Sequence, residues 1–329
     1  MAGDDHIQAH SHAIHIVMAV YQPQMEALER QVQSVLGQTA VDVRLYLFAD
    51  GPDALPAGMG KMFARDKRIE YLNFETNRGP ADTFLEGLAR VLPANLGNDG
   101  LFAFADQDDV WHPHKLAATA RMLRSESLSA VHADARLVDG AGRVISSSMF
   151  AFEARDSAPD LERLFFRNNV TGMTLLLSSD AARAICDLRA YRPAGMLHDH
   201  FAALVASSIK GLGFLDLPCV DYIQHGANAI GAKPASSRLQ RLARLRSGME
   251  PAREYLRQGE DFFAALEQSD WLSPDGRREV NDLRSRLQSG GTKGLFDAAH
   301  LLRRMRVTNP VATRLALEKL RLARREKAL

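Results

Sequence analysis

The chain has 329 residues, 46% hydrophobic and 25% charged, an ordinary globular balance with enough apolar material for a substantial core. Its net charge of +1 divides unevenly: residues 236–329 carry 20 basic against 12 acidic side chains, and residues 1–235 carry 21 against 28, so two regions with different jobs are expected. Two cysteines without metal-type spacing, Cys186 and Cys219, argue against a disulfide framework. No run approaches the roughly 18 apolar residues of a membrane-spanning helix.

Residues 1–12 are polar and hold irregularly spaced histidines (His6, His10, His12), which read as a disordered lead rather than a metal site. The start is acidic ahead of a short apolar run and lacks the basic residues and cleavage site of a signal peptide, so a cytoplasmic or peripherally attached protein is expected. IHIVMAV (14–20) is a β-branched apolar run, the pattern of a buried strand, with His15 inside it as a core or edge residue. Met25, Leu28, Val32, Val35 and Leu36 follow at helical spacing, ending near Gly37. VRLYLFA (43–49) is a second strand running into the turn cluster Asp50-Gly51-Pro52-Asp53, and IEYLNF a third, leading to Asn77-Arg78-Gly79-Pro80. A helical stretch over 82–92 and then LFAFA complete an α/β alternation that predicts a mostly parallel sheet with helices on its faces. Ligands of such sheets gather beyond the carboxyl ends of the strands, where Tyr21, Asp50, Asn77 and Asp106 lie. YQPQ after the first strand is no glycine-rich loop. The dinucleotide fingerprint and the P-loop are therefore absent, as is the basic loop a nucleotidyltransferase would need.

The segment FAFADQDDVWHP crowds Asp106, Asp108 and Asp109 directly after an apolar run. Like charges this close resist ionising together unless a cation or hydrogen-bond donors compensate. Asp106 and Asp108 alternate across Gln107 and share a side if the segment stays extended, an arrangement suited to a hard divalent cation, Mg2+ or Mn2+, that also holds substrate phosphates. Asp108 and Asp109 could instead cap the helix HKLAATARMLR that follows Pro113, and on pattern alone capping is the commoner outcome.

Taken together, VMAVYQPQMEALERQVQSVLGQT, FADGPD, NRGP, FADQDDVW, NNVTGMTLLL, HDHFAALVA and LPCVDYIQHGAN, in this order over residues 14 to about 231, resemble family 2 glycosyltransferases, most of all the bacterial rhamnosyltransferase-like branch. The resemblance implies a GT-A nucleotide-diphospho-sugar transferase fold and an inverting, metal-dependent mechanism. It also implies a dTDP- or UDP-sugar donor and a glycan or lipid-linked glycan acceptor. Carried onto this chain, it makes Asp50 the nucleobase contact, although Ala49 stands where relatives usually have another acid. Arg78 becomes a base or phosphate contact and Asp106 the ribose-side acid, with Tyr21, Asn77 and Gln107 completing the donor side. Asp108 and His225 become the metal ligands, and Asp109 a supporting residue or a helix cap. Asp199, within His198-Asp199-His200, becomes the general base that takes the acceptor's proton, since an un-ionised hydroxyl is a weak nucleophile. The histidines of that triplet lack the i, i+4 register of a helical metal pair. Asn169, Thr171 and Gly172, with His198 and Trp111, form the acceptor side.

The catalytic domain is expected over 13–235 and a basic helical extension over 236–329. Residues 238–300 read as helices packing their leucines on the core or on a second copy of the chain. The interleaved leucines and arginines of 301–329 suit packing or a membrane surface equally. The scarcity of aromatics among these basic residues argues against nucleic acid. A catalytically silent sugar-nucleotide or glycan-binding module that recruits partner enzymes is the alternative from a different class.

Overall fold

One mixed sheet organises the protein, whose computed structural model describes residues 13–56, 63, 65–93, 100–224 and 250–288. Strands β1 (Ile14–Val20), β2 (Val43–Ala49), β3 (Ile69–Asn73) and β4 (Leu101–Ala105) form a parallel block in the order β3-β2-β1-β4. Their sequences are apolar almost throughout because both faces of the sheet are covered. Side chains alternate between the faces. Val17, Tyr46, Phe48, Phe102 and Phe104 enter one core, while Ile16, Met18, Leu45, Leu47 and Ala103 enter the other. The first core is closed by α2 (Pro80–Val91), through Phe84, Leu85, Leu88 and Val91. The second is closed by α1 (Met25–Leu36) and α3 (Lys115–Ser125), through Leu28, Val32, Val35, Leu116, Ala120 and Leu123. His15 is fully buried with Nδ1 3.1 Å from the Tyr46 hydroxyl, a core residue.

Beyond β4 the pairing changes hand. β8 (Leu176–Ser178) runs antiparallel to β4 and to β6 (Ala130–Asp139), and β6 pairs in parallel with β9 (Leu212–Gln224). β7 (Val144–Ser146) forms a hairpin with β6, and β5 (Val110–Trp111) lies antiparallel on β9, Val110 opposite Asp221.

Two facts of this topology position the site. β1 is in register with β2 from Ile14 opposite Val43 to Val20 opposite Ala49, and with β4 from Ile14 opposite Leu101 to Met18 opposite Ala105. The residues that follow these strands, Tyr21, Asp50 and Asp106, therefore leave along one edge, and the connections diverge on either side of β1 to open a crevice. The other wall comes from α7 (His198–Ile209), a helix buried almost all round and preceded by α4 (Met149–Glu153), α5 (Leu161–Phe166) and α6 (Ser179–Leu188).

In the basic region, α8 (Glu250–Gln268) and α9 (Pro274–Gln288) fold back on α5, α6 and α7, as the leucine spacing predicts for a packed helical pair. Phe262, Phe263, Leu266, Val280 and Leu283 are buried in the same core as Phe165, Phe201 and Val205, each such side chain being worth roughly 1.5–3 kcal/mol relative to exposure. The Tyr255 hydroxyl donates to the Phe165 carbonyl at 2.8 Å, and Arg284 ties α9 to Glu260 of α8 at 2.7 Å. The expected lead over 1–12, the loop holding His225, the stretch 238–249 and everything from residue 289 lie outside the described residues. No described helix is long and apolar enough to cross a membrane.

α9 meets α7 backbone to backbone at Gly276, where an added Cβ would collide with the Ser208 carbonyl. Gly276→Ala is expected to destabilise the protein by about 1–3 kcal/mol, as overpacking of a tight contact does. Thermal unfolding would read this as a midpoint lower by a few degrees, and an unchanged midpoint would mean that the two helices do not meet there.

Candidate functional site

The crevice at the strand ends is a cleft of about 500 Å³. Its floor is built by the exits of β1, β2 and β4. Asp50, only 3% exposed, accepts the Arg78 N–H on Oδ1 at 2.7 Å and the Gly79 N–H on Oδ2 at 2.9 Å, which ties the end of β2 to the start of α2. These amides lie just ahead of the helix, at its N-cap Gly79 and the residue before it, near the positive end of the helix dipole, where a carboxylate is favoured. Gln107 does not point its amide into free space: Oε1 accepts the Tyr21 N–H at 2.8 Å and Nε2 donates to the Tyr21 carbonyl at 3.1 Å. That reciprocal pair fixes the backbone on which the 47% exposed Tyr21 ring projects at the cleft.

Asp199 closes the cleft from the first turn of α7. Its Oδ1 accepts the His200 N–H at 2.7 Å and Asn168 Nδ2 at 3.0 Å, and its Oδ2 accepts the Gly172 N–H at 3.1 Å. Asp199 thus serves its helix end and faces the cleft at once. Beside it the His198 ring stacks on Phe84, with centroids 3.9 Å apart, and meets Phe104 edge-on. Neither ring nitrogen of His198 has a partner among the described residues, and burial pushes its pKa down to about 3, so the imidazole is neutral. Gly172 is required here, because a Cβ would lie 2.6 Å from His198 Nε2. His200 turns away from the cleft, Nε2 donating to the Leu164 carbonyl at 2.6 Å, so the triplet does not form a metal pair.

The electrostatics are those of crowded acids. Burial, with the Asp108 and Asp199 charges behind it, pushes Asp106 up to about 7. Burial likewise raises Asp199 to about 6, against the pull of the His200, Gly172 and Asn168 donors and the Arg155 charge. Asp109 is fully buried behind the cleft, with one long bond from the Ile223 N–H at 3.4 Å and no partner for Oδ2 among the described residues, and burial moves it well above the carboxylate range. Neither Asp108 nor Asp109 caps the next helix. α3 begins at Lys115, and its second amide, Leu116 N–H, is taken by Gln38 Oε1 at 2.9 Å.

Of the residues singled out in the sequence, Tyr21, Asp50, Asn77, Asp106, Gln107, Asp108, Thr171, Gly172, His198 and Asp199 line the one cleft. Three do not. The Arg78 guanidinium lies over the Phe74 ring at 4.7 Å, so only its backbone reaches the site. Trp111 is 2% exposed in the second core, with the buried Lys115 ammonium 3.2 Å from its ring centre, because its strand β5 is clamped against β9. Asn169 is 2% exposed and off the cleft, and it is its neighbour Asn168 that reaches Asp199. His225 lies outside the described residues, among which no group of three or more His, Cys, Asp or Glu is arranged to hold a metal ion. Tyr222 of β9 joins the lining without any signal in the sequence beyond its place next to the QHGAN motif.

Comparison with known proteins agrees with this architecture. Residues 15–181, just over half of the chain, match the glycosyl transferase family 2. An uncharacterized glycosyltransferase of Nostoc sp. is 29% identical over 126 residues, and one of Rickettsia bellii is 26% identical over 118. These matches span 36% and 16% of the relatives' own lengths, and 37% and 36% of this chain. Two crystal structures of Staphylococcus aureus TarS 1–349, in complex with UDP and with UDP-GlcNAc, superpose with a TM-score of 0.53 at 13% identity, covering 94% of this chain and 91% of TarS 1–349. That likeness establishes the fold, the GT-A arrangement of a curled mixed sheet between helical layers. The chain belongs to glycosyl transferase family 2.

Proposed function

We propose that this protein is an inverting, metal-dependent glycosyltransferase that moves a sugar from a nucleoside diphosphate to a hydroxyl of a glycan or lipid-linked glycan. One observation carries the reading: a carboxylate held by three donors, Asp199, faces the same cleft as Asp50, Asp106 and Asp108, which leave the strand ends. Direct attack of an acceptor hydroxyl on the anomeric carbon, with departure of the diphosphate, inverts that carbon and needs one base. Asp199 suits the part, since a carboxylate that titrates near 6 is ionised at neutral pH yet basic enough to take a proton as the bond forms.

On the donor side, the exposed Tyr21 ring and the Asp50–Asn77 corner suit the nucleoside. Donors built on uridine or thymidine diphosphate stand first, uridine because TarS structures hold UDP and UDP-GlcNAc, and dTDP-rhamnose because of the likeness of the motifs. Asp106 and Asp108 fit a divalent cation such as Mg2+ or Mn2+, because oxygen ligands suit it and because burial and the neighbouring Asp108 and Asp199 charges already disfavour the ionised form of Asp106. His225 would be a further ligand. When bound, the cation offsets the charge of the departing diphosphate.

Three outcomes are expected. Calorimetric titration with UDP or dTDP in the presence of Mn2+ yields binding that Asp199→Asn retains, while the variant loses turnover with the cognate nucleotide sugar by roughly two orders of magnitude or more. A panel of uridine and thymidine diphosphates that all fail to bind would defeat the reading. For the active enzyme, kcat/KM falls below about pH 6 as Asp199 gains its proton, and levels off above it. Without metal, the folded chain holds protons on Asp106 and Asp199 that the unfolded chain releases near pH 4. Stability therefore declines as pH rises from about 4 to about 7. Asp106→Asn raises the metal-free unfolding midpoint at pH 8 by a few degrees and leaves it nearly unchanged at pH 4, and added Mn2+ flattens the same slope in the unsubstituted protein. Equal midpoints for the two proteins at pH 8 would show that the acids are not frustrated.

A further inference from the structure

Arg155 does not line the cleft, yet it touches the segment on which Asp199 depends. Its Nη1 donates to the Thr171 hydroxyl at 2.7 Å and to the Asn169 carbonyl at 3.2 Å, and its Nε is paired with Glu153 at 2.7 Å. The pair is largely sequestered, the two side chains being 13% and 16% exposed. Its base is rigid. Ala154 ends α4 in the left-handed conformation with φ 50°, the Arg155 N–H bonds the Phe150 carbonyl at 2.9 Å, and Asp134 accepts the Met149 and Phe150 amides at the head of the same helix. A second arginine, Arg167, donates to the Glu153 carbonyl at 3.0 Å and pins the near end of the segment.

The segment so held, residues 168–172, makes no other ordered element before its short 3-10 turn, and it supplies two of the three donors on Asp199, Asn168 Nδ2 and the Gly172 N–H. It also brings Thr171 and Gly172 to the cleft wall. We propose that Arg155 is the positioning residue of this site: its guanidinium, anchored on Glu153, braces residues 168–172 so that Asn168 and Gly172 hold the Asp199 carboxylate toward the cleft. Its charge acts in the same sense, favouring the ionised carboxylate. The catalytic meaning of the brace rests on the transfer reaction proposed above; the brace itself does not.

Amide hydrogen exchange tests it without substrate. In Arg155→Met the Gly172 amide loses protection by about tenfold or more while the Arg78 and Gly79 amides, which are bound to Asp50, keep theirs, and Arg155→Lys restores part of the difference. Unchanged protection at Gly172, or equal loosening at all three amides, overturns the proposal. Should Arg155→Met fail to fold, Thr171→Val removes one acceptor and keeps the ion pair. Faster exchange at Gly172 then supports the brace, and no change overturns it. In turnover, Arg155→Met lowers kcat roughly a hundredfold and leaves UDP affinity as it was, since a misplaced base slows chemistry without touching the nucleoside corner. Unaltered kcat overturns the catalytic part. The exchange signature in a protein that turns over no nucleotide sugar would uphold the brace and sink the transferase reading instead.

Discussion

Carboxylates from different parts of the chain share a cleft that solvates them poorly, and the rest of the molecule is arranged to tolerate that. Asp106 ends a strand buried on both faces, and Asp199 opens a helix buried nearly all round, so neither can retreat into water without breaking a core. The repulsion is met locally by backbone amides, two on Asp50 and two on Asp199, which supply positive poles without mobile side chains. Asp106 is the acid raised furthest within the cleft, by burial and by the Asp108 and Asp199 charges. A site held under electrostatic tension is suited to a ligand that brings positive charge, because binding then relieves a cost already present in the fold.

The C-terminal helices bear on this tension at a distance. α9 and α8 cover the back of α7 and α5, and so bury the hydrophobic side of the helix whose first turn carries Asp199. Gln258 of α8 also accepts the Ala194 N–H at 2.6 Å, in the loop just ahead of α7, and Arg192 of that loop reaches Asp82 in the first turn of α2. The basic extension is thus mechanically continuous with the cleft wall over its described part.

The parallel half of the sheet was legible because β1, β2 and β4 are buried on both faces and therefore carry unbroken apolar runs, and because strand ends of such a block gather at one edge. The other half was not. β8 and β5 are three and two residues long, and their partners are set by long-range pairing that leaves no period in the sequence. Acids were legible as site residues, since a crowded carboxylate has few structural excuses. Aromatic and amide residues were not: Trp111 sits within an acidic motif yet serves the core, and in Asn168-Asn169 one step along the chain exchanges a residue that touches Asp199 for one off the cleft. Arg155 gave no signal, because its value lies in what it touches across the fold and its neighbours in sequence resemble any polar loop.

Gln107 shows how little freedom an apparently neutral letter can have. Its side chain must offer a hydrogen and a lone pair together, at the span that separates the two polar groups of one peptide unit's residue, Tyr21. A glutamate of equal length would accept but could not give, and it would add a fourth negative charge to the run from Asp106 to Asp109. An asparagine would fall a methylene short. The spacer between two acids is thereby a structural part in its own right, and engineering of this loop for altered donor choice has to leave that carboxamide in place.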